Sequence, residues 1–164
     1  GVKSESSSIC EQLDDNDEWI VPLLRAEQQF STPISVQLSL LEFPEPRRGG
    51  KYVYARSGDW DEFRMRTERW DASAESIDDA ISYVAWFSQQ SRERNQIDSY
   101  AAGEHLLSLR LGHGAYHRME KGSLPDLEHT AEQVSIRAQR WRSELMLCRS
   151  QWKNESWFNA LKFW

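Results

Sequence analysis

Apolar and polar residues alternate in three short segments of the chain. Between positions 34 and 41, Ile, Val and Leu alternate with Ser and Gln, which is the period-two pattern of a half-buried strand. Two shorter segments, 51–54 and 63–69, flank the turn-forming sequence SGDWDE and predict a hairpin. The pattern therefore predicts three strands that share a small mixed sheet.

Other segments carry apolar residues at helical spacing. The pattern predicts a short helix over about 20–29, a longer one over 77–88 and a C-terminal one over 131–150. In the last of these, apolar residues recur at steps of three and four and share one helical face: Val134, Ala138, Trp141, Leu145, Cys148 and Trp152. Together with the strands, these helices predict an α+β fold. The predicted domain spans 18–164, ends in a C-terminal helical extension and follows a flexible acidic leader over 1–17.

Composition and charge exclude several classes of protein. The eight Trp residues among 164 provide too much apolar surface for a disordered chain. No apolar stretch is long enough for a membrane span, and the N-terminal residues lack a secretion pattern, so we expect a soluble, cytoplasmic protein. The net charge of −6 means that DNA could bind only to a local basic face. The candidates for such a face are Arg64 and Arg66 of the predicted hairpin and Arg137 and Arg140 of the C-terminal helix, although all four also fit an ordinary solvated surface.

Metal-binding and disulfide patterns are weak in this sequence. The two cysteines, Cys10 in the leader and Cys148 in the helical stripe, lie far apart and outside any CxxC motif, so we expect neither a disulfide framework nor structural zinc. His113 and His117 have the spacing of zinc ligands on a helix, but Gly114 lies between them and no third ligand is evident. The identity of any metal therefore stays open.

Two motifs in order carry a resemblance to a known family. ISVQLSLLEFPEPRR (34–48) followed by AAGEHLLSLRLG (101–112) resembles the ParB/sulfiredoxin fold. The resemblance implies a phosphate site at Gly103, with Arg47, Arg48 and Arg110 as further ligands of a nucleotide. It also implies Glu104 and His105 as catalytic residues, with ATP and a divalent cation such as Mg²⁺ as cofactors. A Gly-led helix start can bind an anion through its free amides, but the same residues also fit a plain helix N-terminus.

Small plasmid-encoded fertility-inhibition proteins of the oncogenic-suppression type are the most similar members of that family. The resemblance implies ATPase and DNase activity in a bacterial cytoplasm, with DNA and components of a conjugative secretion apparatus as partners. The alternative is a non-enzymatic, immunity-type protein whose acidic, Trp-rich surface covers a basic site on another protein. The terminal segment WFNALKFW (157–164) is apolar enough to dock on the body of the domain.

Overall fold

Eight α-helices make up most of the part of the chain that this computed structural model describes, residues 7–152. Residues 1–6 of the predicted leader and the docking segment 157–164 lie outside the described residues. A short 3₁₀ helix, Asp17–Trp19, precedes the second helix. The α-helices are α1 Ile9–Asp15, α2 Ile20–Phe30, α3 Ile34–Leu40, α4 Ser57–Thr67, α5 Ile77–Asn95, α6 Ala102–Leu111, α7 His113–Arg118 and α8 Pro125–Trp152.

Helices α5 and α8 organise the core. α5 is buried without interruption from Ala80 to Ser88 and contacts α2, α3, α4, α6 and α7. α8 presents its predicted apolar stripe to α1, α3 and α6, and every member of that stripe is buried. The predicted helices 20–29, 77–88 and 131–150 are thus confirmed, each within a somewhat longer helix. The stripe of α8 faces one side, so its period of 3.6 is visible in the sequence.

The predicted α+β fold is wrong, because residues 34–40 form a helix and the described residues contain no strand. All seven residues of α3 are buried, including its two serines and Gln37. The Ser39 hydroxyl donates to the Ser35 carbonyl at 2.7 Å, and the Gln37 amide donates to the carbonyls of Leu23 and Thr32 at 3.2 and 2.9 Å. A helix buried on all sides has no polar face, so its polar residues can fall at any spacing, including every second position.

The predicted hairpin is also absent. SGDWDE begins α4, whose Asp59 in the first turn and Arg64 and Arg66 in the last turn complement the helix dipole. Segment 51–54 is an extended loop, which forms one isolated antiparallel bridge between Leu41 and Val53. The mixed sheet of the prediction is therefore reduced to a single bridge between two loops.

The predicted leader contains a packed helix. Ile9 and Leu13 of α1 are fully buried against the core, and the Ile9 amide donates to Glu144 Oε1 of α8 at 2.9 Å. Cys10 and Cys148 form a disulfide between α1 and α8, with their Cα atoms 5.5 Å apart. A disulfide framework was not expected, and this single bond joins two residues that lie 138 positions apart in the sequence. The expected flexible leader is wrong for Ile9–Asp15, because these residues form a helix that packs on the core.

None of the helices in residues 7–152 combines the length and the apolar character that crossing a membrane requires.

Candidate functional site

An open cleft of about 890 Å³ lies where α6 and α8 meet α7 and the loop that precedes α8. Its volume lies within the range of typical ligand pockets. Apolar groups of Leu107, Met119 and Pro125 form part of its lining. The polar and titratable side chains that line it include Glu104, Tyr116, His117, Glu128, His129 and Glu132.

The cleft begins at a close contact between α6 and α8. Gly103 is buried, and a Cβ atom at this position would overlap the Ser135 hydroxyl and the Ala131 carbonyl of α8. The Gly103 amide donates to Ser135 Oγ at 3.0 Å. The predicted phosphate site at Gly103 has no counterpart in this geometry, because the amide is already bonded and the missing Cβ is what allows the two helices to touch.

Glu104 and Tyr116 form a hydrogen-bonded pair in the cleft. The Tyr116 hydroxyl donates to Glu104 Oε2, which ties α7 to the first turn of α6. Burial raises the pKa of the Tyr116 hydroxyl well above its usual value, and the hydrogen bond to Glu104 raises it further. Tyr116 therefore stays a neutral donor, and Glu104 acts as the acceptor.

Glu128 is held by the backbone at the start of α8. Its carboxylate accepts from the amides of Gly122 and Leu124 at 2.8 and 2.9 Å. These two hydrogen bonds lower the pKa of the Glu128 carboxyl, because they stabilise its ionised form. The cleft thus contains one carboxylate, Glu128, whose backbone partners favour the anionic state.

The two histidines of α7, His113 and His117, make structural contacts. The His113 ring stacks on Phe87 with the centroids 4.2 Å apart, and burial lowers its pKa to about 4. His117 Nδ1 lies 3.0 Å from Asn95 Oδ1, and the Asn95 amide donates to the His113 carbonyl at 3.1 Å. Within residues 7–152, no group of three His, Cys, Asp or Glu side chains could hold a metal ion.

His105 is next to Glu104 in sequence but does not line the cleft. It is fully buried on the other side of α6, and its Nε2 lies 3.0 Å from the Asp98 carbonyl oxygen. Burial lowers the pKa of His105 to about 4, so the ring is neutral near pH 7. A neutral ring enclosed by protein has no access to a substrate in the cleft.

The arginines predicted for phosphate binding are partly brought together, away from the cleft. The guanidinium groups of Arg47 and Arg110 lie 5.9 and 5.3 Å from the centroid of the Tyr54 ring. Arg48 is exposed on the same loop as Arg47. None of the three lines the cleft that holds Glu104.

The arginines predicted for nucleic-acid binding do not form one basic face. Arg64 donates to the Trp70 carbonyl, and Arg66 lies 3.7 Å from Glu62. Arg137 stacks on Trp141 with its guanidinium carbon 4.5 Å from the ring centroid. Arg140 lies 4.0 Å from Glu144, so both pairs of arginines have intramolecular partners on separate helices.

Sequence reasoning missed Tyr116 and Glu128. Pro125 at the first position of α8, followed by acidic residues in the first turn, is a typical helix start. This signal could have identified Glu128 as a capping residue. No comparable signal marks Tyr116, because its role depends on how α7 folds back onto α6.

The described residues thus define a helical protein with an open, acidic cleft between two closely packed helices. Residues 2–148 match the model of the family described as Transglycosylase SLT domain, so the chain belongs to that family. No curated protein and no solved structure matches this chain.

Family membership overturns the resemblance to the ParB/sulfiredoxin fold and the fertility-inhibition function that it implied. The ATPase and DNase activities that the resemblance implied are therefore wrong as well. The family gives no support to the immunity-type alternative. The two motifs that carried the resemblance lie in α3 with its following loop and in α6, where no sheet joins them. Mg²⁺, ATP, DNA and a conjugative apparatus as ligands or partners stay predictions.

Proposed function

We propose that this chain acts on the glycan strands of peptidoglycan as a transglycosylase-like protein, with the α6–α8 cleft holding the strand. The observation that carries the proposal is the family match over residues 2–148. A transglycosylase moves a glycosyl group from one oxygen to an acceptor other than water. The chemistry therefore needs a groove that orients a sugar chain and carboxyl groups beside the bond that breaks.

The lining of the cleft suits a sugar chain. The carboxylate oxygens of Glu104 and Glu132 can accept hydrogen bonds from sugar hydroxyls, and Lys121 can donate to sugar oxygens. Leu107 and Met119 offer apolar surface for the C–H faces of the rings. This mixture of a few polar groups on an apolar base supports binding of an uncharged, hydroxyl-rich polymer.

A second candidate function is glycan binding without cleavage. Breaking a glycosidic bond requires a carboxyl group that stays protonated until it donates to the leaving oxygen. In the cleft, Glu128 accepts from two backbone amides, and these hydrogen bonds favour its carboxylate over the carboxylic acid. Glu128 is therefore suited to accepting hydrogen bonds from a glycan rather than to donating a proton to it.

The cross-link between α1 and α8 supports a location outside the cytoplasm. Disulfides persist in oxidising compartments and are rare in the reducing cytosol. Peptidoglycan also lies outside the cytoplasmic membrane, so the Cys10–Cys148 pairing and the proposed substrate agree. We therefore propose an extracytoplasmic location in place of the cytoplasm expected from composition.

Purified, insoluble peptidoglycan sacculi test both candidates. Sedimentation of the protein with sacculi measures binding, and release of soluble fragments measures cleavage. Counting new reducing ends distinguishes hydrolysis from glycosyl transfer. Hydrolysis creates one reducing end at each broken bond, whereas transfer to another sugar hydroxyl creates none. Glu104→Gln should lower fragment release about a hundredfold or more if this carboxyl transfers a proton. The Tyr116→Phe variant tests the hydrogen bond to Glu104 separately, because it removes only the hydroxyl that donates to that carboxylate.

Glu93→Gln is the matched control, because Glu93 is an exposed carboxylate on α5 outside the cleft. Wild-type rates in the control and slow release in Glu104→Gln would support cleavage at this site. Sedimentation of the wild type without fragment release would support binding alone. A wild-type protein that neither binds sacculi nor releases fragments would refute the proposed function.

A further inference from the structure

A second surface, distinct from the cleft, gathers unpaired cations around one aromatic ring. We define the Tyr54 surface as Arg47, Tyr54 and Arg110. Both arginines are exposed, and their guanidinium carbons lie 5.9 and 5.3 Å from the centroid of the Tyr54 ring. Among residues 7–152, no carboxylate lies within ion-pair distance of either guanidinium, although Glu42 and Glu45 occupy the same loop as Arg47. The surface is therefore positively charged in a protein whose net charge is −6.

The loop that supplies Arg47 and Tyr54 is held in place against α6. The Arg47 amide donates to the Lys51 carbonyl at 2.9 Å, and the Gly50 amide donates back to the Arg47 carbonyl at 2.9 Å. Gly49 and Gly50 both have positive φ angles, of 97° and 83°, which the turn between these residues requires. Arg56 at the other end of the loop donates to the Leu111 carbonyl at 3.0 Å and ties the loop to the C-terminal end of α6.

Both guanidinium groups lie near one ring, so their like charges repel, and a bound anion would reduce that repulsion. Each guanidinium also presents a planar fork of N–H donors that matches a carboxylate in a bidentate arrangement. Both groups lie within cation–π distance of the Tyr54 ring and remain exposed. Two exposed guanidinium groups beside one ring, with no carboxylate among residues 7–152 in ion-pair distance, therefore suit a carboxylate ligand.

We propose that the Tyr54 surface binds carboxylate groups of the peptide side chains of peptidoglycan while the α6–α8 cleft holds the glycan strand. This assignment rests on the proposed function, because that function is what identifies peptidoglycan as the polymer. Arg110 and Glu104 lie six positions apart on α6, about 9 Å along the helix axis. A peptide branching from a sugar in the cleft can span that distance.

The test compares three ligands: intact sacculi, a DNA duplex, and peptide-free glycan strands. The peptide-free strands are prepared by removing the peptides enzymatically and converting the lactyl carboxylates left behind into amides. The Arg47→Ala/Arg110→Ala double variant should bind intact sacculi roughly tenfold to hundredfold more weakly than the wild type. Its binding to peptide-free strands should be unchanged. Arg66→Ala/Arg140→Ala is the matched control, since it removes the same charge from exposed arginines elsewhere.

Each outcome separates this proposal from the proposed function. Weaker binding of the double variant to intact sacculi only, with the control like wild type, supports the Tyr54 surface as the carboxylate site. Equal affinity of wild type and double variant for intact sacculi overturns it, as does a loss confined to the DNA duplex. If the wild type binds intact sacculi through these arginines but not peptide-free strands, the glycan cleft fails and the Tyr54 surface stands.

Replacing both arginines by lysine provides a second measurement. Lysine keeps the charge but lacks the planar fork, so only partial recovery of affinity is expected. Full recovery would mean that net charge alone attracts the polymer, which would overturn the bidentate site. Because both side chains are exposed, the thermal midpoints of all variants should match the wild type.

Discussion

Breaking the Cys10–Cys148 disulfide should destabilise the folded chain severely. The bond joins residues 138 positions apart, so it restricts nearly the whole described chain in the unfolded state. In the chain-entropy treatment, a closed loop of this length contributes about 5 kcal/mol to the free energy of unfolding. For a domain of this size, that corresponds to a fall of about 10–20 °C in the thermal midpoint.

Other contacts hold α1 in place when the bond is open. Ile9 and Leu13 remain apolar anchors, each worth about 1.5–3 kcal/mol of burial, and the Ile9 amide keeps its acceptor on Glu144. We therefore expect a folded, less stable protein rather than a chain with α1 detached. The reduced wild type and the Cys10→Ser/Cys148→Ser variant should behave alike.

Urea unfolding followed by circular dichroism, with and without reductant, measures the difference in the free energy of unfolding. Thiol titration of the denatured, unreduced protein provides the control, since a complete disulfide leaves no reactive thiol. Thermal melting of the same samples gives the midpoint, and a shift of less than about 2 °C on reduction, with the bond shown to be intact beforehand, would refute the reasoning. That result would mean that the unfolded chain is already compact without the cross-link.

Two further predictions concern α6. Because burial lowers the pKa of His105 to about 4, the unfolded chain takes up a proton as the pH falls below 6.5 and the folded chain does not. Lowering the pH from 7 to 5 should therefore cost about 2 kcal/mol through this residue, and urea unfolding of His105→Gln should show a correspondingly weaker pH dependence. Gly103→Ala should lower stability by about 1–3 kcal/mol, because its Cβ must push α6 away from α8. A thermal midpoint equal to that of the wild type would show that the two helices can separate freely.

The sequence pattern predicted the elements that bury a single face. α8 was identified over most of its length, since its stripe from Val134 to Trp152 faces the core and the intervening residues face solvent. α3 was misread as a strand because the core surrounds it, so polarity carries no information about its period. In α4, Phe63 is the only buried residue, and one apolar position cannot define a period.

Long-range pairings were beyond the reach of local patterns. Cys10 and Cys148 are separated by nearly the whole domain, and only the packing of α1 on α8 brings their Cα atoms to 5.5 Å. The same limit applies to Tyr116 and Glu104, which meet because α7 turns back at Gly112, a residue with a φ of 90°. Sequence reasoning grouped Arg47 and Arg110 as anion ligands. It did not include Tyr54, whose ring lies near both guanidinium groups.

The missing Cβ atom of Gly103 has a different role in the structure from the one predicted from the sequence. Sequence reasoning selected Gly103 because a phosphate can approach a helix start that lacks a Cβ, whereas the structure uses the same missing atom to bring Ser135 of α8 against α6. A neighbouring helix and a bound phosphate both require a backbone position without a Cβ atom. The sequence therefore cannot distinguish the two. Once α6 touches α8 at Gly103, the next residue, Glu104, lies at the mouth of the groove beside that contact. The close packing of two helices therefore builds the cleft in which a glycan strand is proposed to bind.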